Sequence, residues 1–329
     1  MNSDGAADPA GRVLLVGLGP TTADAFAALH PRFSVVGLIR VEQDEVSQGA
    51  REAGVDVVAD STLATLDRLV SELAPDCVVV SSFHRIIPAE ILNRSRFVNV
   101  HYAPLPGYRG RATVNWVIIN GEPETAITIH TMVPGLDAGR ILRQETVSIE
   151  STDTVTDLYR KLNGRQRVLL GDAVADCLAG MPGAEQDEAA ATYACTRVPA
   201  DGEIDWSLPT EAIDRLVRAL TDPYPGAFTY LGTRRLWVRR AAPVADSPRY
   251  VGRIPGRVVR VSRAAGFVDV LTGDGVYRLH ELRVEGSATP TPASAVVRSV
   301  KDTLGLGATA LLERLEELER ELIELRACK

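Results

Sequence analysis

The sequence predicts an α/β protein in which a doubly wound α/β domain is followed by a smaller β-barrel domain and a leucine-rich helix. Over the first 150 residues, short runs rich in Val and Ile alternate with amphipathic stretches. Short strands punctuated by glycine occupy most of the last third, and leucines recur at heptad spacing after residue 309. At about 100–200 residues per domain, a chain of 329 residues is long enough for two domains.

The first domain is predicted at 12–195, after a flexible leader at 1–11. Its apolar runs are typical of buried strands in a parallel sheet, and they lie at 12–19, 33–40, 55–60, 76–82 and 97–103. Helical spacing occurs between them, at 21–29, 41–53 and 62–73. Strands and helices that alternate in this way indicate a doubly wound, Rossmann-like sheet.

The pattern changes after the fifth predicted strand. A short helix is predicted at 113–120, two further strands at 124–132 and 141–149, and one long helix at 154–178. Residues 180–191 are rich in Gly, Ala, Pro and acidic side chains, a composition that predicts a linker.

The second domain is predicted at 196–305. It opens with a helix at 209–220 and continues with five short strands, a pattern typical of a small barrel of the oligonucleotide/oligosaccharide-binding (OB) kind. In the last segment, 306–329, five leucines follow one another at intervals of 4, 3, 4 and 3 residues, namely Leu311, Leu315, Leu318, Leu322 and Leu325. This spacing indicates either a coiled-coil seam between two chains or a helix that folds back on its own domain.

Composition excludes several classes of protein. The first residues lack the basic and apolar regions of a secretory signal, and no apolar run approaches about 18 residues, so we expect a cytoplasmic protein without a membrane span. The four cysteines form no CxxC pair, which argues against a zinc knuckle or a redox motif. Residues 209–305 carry 15 basic and 9 acidic side chains, whereas the first 208 residues have a net charge of −11. A basic second domain either contacts RNA or presents a solvated arginine-rich surface.

Several common catalytic motifs are missing from the sequence. The turn GLGP at 17–20 is similar to a dinucleotide-binding loop, but Thr22 occupies the place of its third glycine. Neither a nucleophile elbow, G-x-S-x-G, nor a phosphate loop, GxxxxGK[ST], is present. The five histidines include no pair at helical spacing, so we expect no metal centre.

A short polar pair remains at the end of the fifth predicted strand. Asn99 and His101 are two residues apart, so on a strand their side chains leave the same face. The loop that follows, which carries Tyr108 and Arg109, is stiffened by prolines. Such a pair either binds a ligand at the carboxyl end of the sheet or ties down the loop by hydrogen bonds, and the residues alone leave both interpretations open.

The wider segment 99–139 carries a family resemblance. It contains Asn-x-His, Leu-Pro-x-Tyr-Arg-Gly, Asn-Gly-Glu and Gly-Leu-Asp-Ala-Gly in that order, and Asp-Pro-Tyr-Pro-Gly-Ala-Phe follows at 222–228. These motifs resemble those of the 10-formyltetrahydrofolate-dependent formyltransferases. Within that family the chain is most similar to the formyltransferase domain of the bifunctional enzyme that modifies UDP-4-amino-4-deoxy-L-arabinose, and it is also similar to methionyl-tRNA formyltransferase. The resemblance extends over both predicted domains.

The resemblance implies an enzyme that moves a formyl group from its co-substrate, 10-formyltetrahydrofolate, to a primary amine without a metal. It implies that Asn99 and His101 hydrogen-bond the developing oxyanion, that His101 protonates the leaving nitrogen, and that Asp137 orients and charge-stabilises His101 and helps to deprotonate the amine. It also implies a folate site formed by two loops and one further arginine, comprising Arg85, Ile86, Ile87, Arg111, Val133, Pro134, Gly135 and Leu136. Without the resemblance, Asp137 is equally typical of a plain turn.

The acceptor amine is the less constrained part of this prediction. The Arg-Gly-Arg-Ala and Asn-Trp motifs within 109–116, together with the acidic first domain, favour a small amine, and a nucleotide-linked amino sugar is the first choice. Initiator tRNA is the alternative, because a basic second domain suits phosphate binding. An ornithine-type amine of siderophore or antibiotic biosynthesis is a third candidate. A relative that only binds or hydrolyses folate is disfavoured because Asn99, His101 and Asp137 are all present. We also expect the protein to form a homodimer.

Overall fold

The computed structural model describes residues 11–19 and 21–327, which form two compact units. The first unit ends at Thr196 and the second begins at Arg197, except that Ile118–Gly121 and Thr154–Thr156 belong to the second. Apart from Gly11, the predicted leader lies outside the described residues. No helix within the described ranges is long and apolar enough to cross a bilayer.

The first unit consists of strands and helices that alternate along the chain. Its strands are β1 (Arg12–Gly17), β2 (Ser34–Ile39), β3 (Val57–Val58), β4 (Cys77–Ser81), β5 (Arg96–His101), β6 (Arg109–Gly110), β7 (Glu124–Thr131), β8 (Ile141–Ser148) and β9 (Tyr193–Ala194). Its helices are α1 (Thr22–Leu29), α2 (Glu45–Glu52), α3 (Leu63–Leu73), α4 (Ala89–Leu92), α5 (Thr113–Asn120), whose end belongs to the second unit, and α6 (Val155–Leu178).

Seven of these strands form one sheet in the order β3-β2-β1-β4-β5-β7-β8. The first five pair in parallel, whereas β7 runs antiparallel to both β5 and β8. The side chains of β4 are buried throughout, as expected for a strand covered on both faces. The predicted doubly wound fold is therefore confirmed, with its change of strand order between β1 and β4.

The loop after β1 is held by a buried arginine. Arg40, at the end of β2, donates hydrogen bonds of 3.2 Å to the carbonyl oxygens of Gly17 and Gly19. The same guanidinium pairs with Asp44 and holds the pKa of that carboxyl down to about 2. Asp44 also caps α2, which is why this helix begins at Glu45 rather than at residue 41 as predicted.

The segment predicted as a linker is packed against the first unit. We call residues 183–194 the strap. Ala184 and Ile141 exchange two backbone hydrogen bonds of 2.8 Å, and β9 pairs in parallel with β6 in a separate two-stranded sheet. The linker prediction is wrong because these pairings connect residues distant along the chain, which composition does not reveal.

The second unit contains the basic part of the chain. Its strands are β10 (Phe228–Leu231), β11 (Arg234–Pro243), β12 (Val258–Ser262), β13 (Phe267–Leu271), β14 (Val276–Val284) and β15 (Thr291–Pro292). Its helices are α7 (Thr210–Ala219), α8 (Ala293–Val296) and α9 (Ala308–Ala327).

The second unit forms a small antiparallel barrel, which confirms the prediction. The sheet order is β10-β11-β14-β13-β12, and β15 pairs with β14. Thr303 bridges to Arg257, just before β12, and Leu304 bridges to Leu231 at the end of β10, so this short segment joins the two edge strands. Trp206 lies in the apolar core that the barrel encloses.

Candidate active site

The site is built on two antiparallel strands, β5 and β7. Asn99 and His101 lie on β5, and the strand register places His130 of β7 directly opposite Asn99. All three side chains approach Asp137, which lies on the loop between β7 and β8. The side chains on the two strands therefore face the same side of the sheet. The structure brings together Asn99, His101 and Asp137, the residues that the sequence singled out.

Among the described residues, four polar groups lie beside the carboxylate of Asp137. Its Oδ1 accepts a hydrogen bond of 3.3 Å from Asn99 Nδ2 and lies 3.7 Å from His130 Nε2. Its Oδ2 accepts a hydrogen bond of 2.8 Å from the backbone nitrogen of Gly110 and lies 3.6 Å from His101 Nδ1. The backbone of Asp137 has a φ of 47°, a left-handed conformation that non-glycine residues seldom adopt unless their surroundings hold them there.

His130 is neutral and its tautomer follows from its partners. Its Nδ1 donates to the carbonyl oxygen of Thr131 at 2.8 Å, so its Nε2 accepts the hydrogen bond of 3.1 Å from Asn99 Nδ2. Burial lowers the pKa of His130 to about 4, although the Asp137 carboxylate acts in the opposite direction. A neutral ring can accept from Asn99, which an imidazolium could not do.

His101 is oriented by a hydrogen bond on the side of its ring that faces away from Asp137. Its Nε2 donates a hydrogen bond of 2.8 Å to the carbonyl oxygen of Tyr108, a residue that also has a positive φ, of 56°. The other ring nitrogen, Nδ1, faces Asp137. The rings of His101 and His130 meet edge to face, with centroids 6.4 Å apart.

His130 is a residue of the site that its sequence context did not reveal. The residue lies in an apolar strand, belongs to none of the motifs that carried the resemblance, and pairs with Asn99 only through the register of β5 and β7. Its one sequence signal is that Thr128 and His130 are polar residues two positions apart between the apolar residues of β7, both fully buried.

The two loops predicted to bind folate have apolar, solvent-exposed surfaces. Ile86 is 84% exposed, and residues 133–136 are all exposed, with Val133 and Leu136 as large apolar side chains. Ile87 is instead buried, in an apolar cluster on which Met132 also packs. Both loops are therefore anchored in the same cluster, and Ile87 could reach a ligand only through its backbone.

The two arginines assigned to the folate site are exposed. Neither Arg85 nor Arg111 forms an ion pair with another described residue. Within the described ranges, no group of three or more His, Cys, Asp or Glu side chains is arranged to hold a metal ion.

Two family models match the chain. The model described as formyl transferase matches residues 37–174, and that described as formyl transferase, C-terminal domain, matches residues 198–298. Together these matches span well over half of the sequence. The chain belongs to the formyl transferase family. The resemblance drawn from its motifs is thereby confirmed.

Solved structures of low sequence identity share the fold of this formyl transferase. HypX from Aquifex aeolicus, in complex with tetrahydrofolic acid, is 18% identical with a TM-score of 0.65, and the alignment covers 88% of this chain but 47% of HypX. The chain thus spans about half the length of HypX. The sugar 3N-formyl transferase WlaRD is 16% identical with a TM-score of 0.62, over 84% of this chain and 98% of WlaRD. Methionyl-tRNA formyltransferase from Clostridium thermocellum is 20% identical with a TM-score of 0.53, and the alignment covers 70% of this chain and 92% of that enzyme.

The buried neutral His130 predicts a pH dependence of stability. Its pKa of about 4 lies below the ordinary 6.5, so as the pH falls the unfolded chain takes up a proton first, and the folded state loses stability between these values. Between about pH 7 and about pH 5, the wild type should lose on the order of 2 kcal/mol more unfolding free energy than His130→Gln, which cannot titrate. Urea unfolding at both pH values measures this difference, and parallel losses in the two proteins would contradict it.

Proposed function

We propose that the protein transfers a formyl group from 10-formyltetrahydrofolate to the primary amine of a nucleotide-linked amino sugar, in the cytoplasm. The proposal of formyl transfer rests on the positions of Asn99 and His101, whose side chains both approach the carboxylate of Asp137. An amide donor at 3.3 Å and an imidazole at 3.6 Å from one carboxylate are suited to charge stabilisation and proton transfer.

The reaction sets two tasks for these residues. A bond forms between the amine nitrogen and the formyl carbon, the bond from that carbon to the folate nitrogen breaks, and one proton passes from the amine to the folate nitrogen. The formyl oxygen gains negative charge on the way, so the site must donate a hydrogen bond to it and must carry the proton.

Asn99 is the candidate donor to the formyl oxygen. Both of its amide protons are engaged, one with His130 Nε2 at 3.1 Å and one with Asp137 Oδ1 at 3.3 Å. To donate to a substrate oxygen, Asn99 must release one of these bonds, and the bond to Asp137 is the longer. His130 then keeps the amide oriented while the other proton turns to the substrate.

His101 is the candidate proton carrier. Because its Nε2–H is donated to the Tyr108 carbonyl, Nδ1 is the atom that can take up and release a proton. The Asp137 carboxylate lies 3.6 Å from that atom and stabilises the imidazolium charge while the proton is held there. Asp137 thus also helps to draw the proton from the attacking amine.

The exposed loops are suited to folate. Ile86, Val133 and Leu136 offer apolar surface for flat aromatic rings, and the exposed Arg111 offers a cation for a carboxylate. Arg85, Ile87, Pro134 and Gly135 complete the proposed site, mainly with backbone groups. HypX in complex with tetrahydrofolic acid has the same fold, which supports the choice of donor.

The arginines of the second unit favour a small acceptor over tRNA. Many of them are engaged with side chains of the same unit, in the ion pairs Arg215–Glu211, Arg218–Asp214, Arg239–Asp222, Arg240–Glu281 and Arg278–Asp269. Arg283 stacks on the ring of Trp237 at 4.2 Å. Guanidinium groups already paired in this way are less suited to a phosphate track. The fold shared with WlaRD, a sugar 3N-formyl transferase, supports the same choice.

An acceptor panel tests the proposed substrate class. We expect tetrahydrofolate release and the mass of one added formyl group with a nucleotide-linked amino sugar, and rates that change little with salt. Methionylated initiator tRNA and an ornithine-type amine are the comparison substrates. A preference for tRNA that falls steeply as salt increases, as binding through several phosphates requires, would contradict the proposal.

The assigned chemistry predicts the effect of two substitutions. His101→Ala and Asp137→Asn should each lower turnover by at least about 100-fold, because each removes a group that stabilises the transition state. Binding of 5-formyltetrahydrofolate, measured by calorimetry, should persist because it rests on the exposed loops. Near-normal turnover in either variant would show that these residues do not carry the reaction.

We also propose that the chain forms a homodimer through α9. Leu311, Leu315 and Leu318 are 40%, 56% and 45% exposed, so a large part of each side chain is accessible to a partner. The side chains of Leu322 and Leu325, which continue the heptad spacing, lie outside the described residues. An exposed heptad row is suited to a second copy of the same helix.

The charges beside the leucine row favour two parallel copies. With Leu315 and Leu322 at heptad position a, the flanking g and e positions are Arg314 with Glu319 and Glu321 with Arg326. In a parallel pair, each g residue faces the e residue five positions later in the other copy, so both contacts join opposite charges.

Truncation tests this assembly. Two heptads are too short to hold a helix pair alone in dilute solution, so the barrel must contribute some of the dimer surface. Removing residues 310–329 should therefore weaken the dimer without abolishing formyl transfer. Sedimentation of both proteins over a range of concentrations measures this. A monomeric full-length protein would reject the dimer, and an unchanged truncated dimer would reject the role of α9.

A further inference from the structure

We propose that Gln186, in the strap, is a positioning residue that holds Asp137 in its left-handed turn. The proposal rests on the proposed function in one respect, namely that Asp137 takes part in the transfer. Gln186 itself forms hydrogen bonds with the backbone of the turn and with Arg109, so it would act through Asp137 rather than on a substrate.

The amide nitrogen of Gln186 bridges two backbone carbonyl groups of the turn. Its Nε2 donates hydrogen bonds of 2.7 Å to the carbonyl oxygens of Asp137 and Gly139, so both amide protons are used on this one loop. The turn has little room to relax, since a Cβ added at Gly139 would lie 1.6 Å from the carbonyl oxygen of Thr131. A left-handed non-glycine residue persists where its surroundings determine it in this way.

The amide oxygen of Gln186 connects the same turn to the loop after β5. It accepts from Arg109 Nε at 3.2 Å and from Arg109 Nη2 at 2.8 Å. Arg109 is 1% exposed, and the Glu188 carboxylate, which accepts from its Nη1 and Nη2 at 2.8 and 2.7 Å, raises the pKa of the guanidinium. The buried group is therefore a fixed cation, with Gln186 and Glu188 of the strap among its partners.

Both loops that hold the Asp137 carboxylate consequently meet at Gln186. Gly110, next to Arg109, donates its backbone N–H to Asp137 Oδ2 at 2.8 Å. Gln186 links the backbone carbonyl of Asp137 to the side chain of Arg109, the residue before Gly110. One amide thus sets the distance between the carboxylate and the loop that orients His101 through Tyr108.

The strap does not need the Gln186 side chain to stay in place. Ala184 and Ile141 exchange backbone hydrogen bonds of 2.8 Å, the Arg109 N–H donates to the Thr192 carbonyl at 2.8 Å, and β9 pairs with β6. A substitution at Gln186 therefore removes the bonds to the turn and leaves the path of the chain intact. This makes the positioning role separable from a general structural one.

The first test detects the position of Asp137 without any reaction. Gln186→Glu keeps an oxygen for Arg109 but replaces the two donors to the carbonyl groups by a second oxygen. The rings of His101 and His130 lie 3.6 and 3.7 Å from the Asp137 carboxylate, so their imidazole nitrogen chemical shifts report its position. With five histidines in the chain, these signals can be assigned by substitution.

The matched control is Glu185→Gln, which neutralises the preceding residue of the strap. Glu185 is exposed and its carboxylate pairs with Arg140, an exposed ion pair that contributes little. Both imidazole signals should shift in full-length Gln186→Glu and stay unchanged in Glu185→Gln. Signals that do not shift in Gln186→Glu would overturn the proposal. If that variant does not fold, Gln186→Met, which has a similar length and no amide, takes its place.

The second test is a double-mutant cycle on turnover. Gln186→Glu should lower kcat by about 10- to 100-fold with the KM for the amine nearly unchanged, because a displaced catalytic group slows the chemical step. In an Asp137→Asn background the same substitution should cause no further loss, since residues that act as a unit are not additive. Equal losses in both backgrounds would overturn the positioning role. A wild type without turnover, but with imidazole signals that respond, would contradict the proposed function and leave the positioning of Asp137 supported.

Discussion

The carboxylate of Asp137 is the point at which separate segments of the first unit meet. Its two oxygens bind the Asn99 amide and the Gly110 backbone nitrogen and lie within 4 Å of two imidazoles, at 3.6 and 3.7 Å. Strand β5 supplies one amide and one imidazole, β7 supplies the second imidazole, and the short strand β6 supplies the backbone donor. The left-handed turn that presents the carboxylate is useful only if each of these segments is fixed, and the fold fixes them through the sheet register and the strap.

The buried basic side chains around this carboxylate are either neutral or paired. One of the two buried rings beside it, His130, is neutral because burial holds its pKa at about 4, so it accepts a hydrogen bond from Asn99 rather than competing with His101 for the proton. Farther out, the buried Arg109 is paired with Glu188 and bonded to Gln186. His101, whose Nδ1 faces Asp137 while its Nε2 donates to Tyr108, is the ring for which we propose the proton transfer.

Much of the fold follows from local sequence, and much of the site does not. Runs such as the one that became β4 predicted buried parallel strands correctly because their Val-rich pattern reflects burial on both faces. Asn99 and His101 were singled out as a polar pair at the end of a predicted strand, whereas Asp137 was found through the motif resemblance. His130 was missed because its contact with Asn99 depends on a register between strands 31 residues apart. Gln186 was missed because it lies 49 residues from Asp137 in a segment whose composition predicts a linker, and long-range pairing overrides that local preference.

A crystal structure of the full-length protein with 5-formyltetrahydrofolate bound would show where the formyl group lies relative to Asn99, His101 and Asp137. We expect the pterin to rest against the loops at 85–87 and 133–136 and the formyl oxygen to accept a hydrogen bond from Asn99 Nδ2, with Asp137 still in its left-handed turn. A formyl group bound out of hydrogen-bonding reach of Asn99, His101 and Asp137 would contradict this expectation.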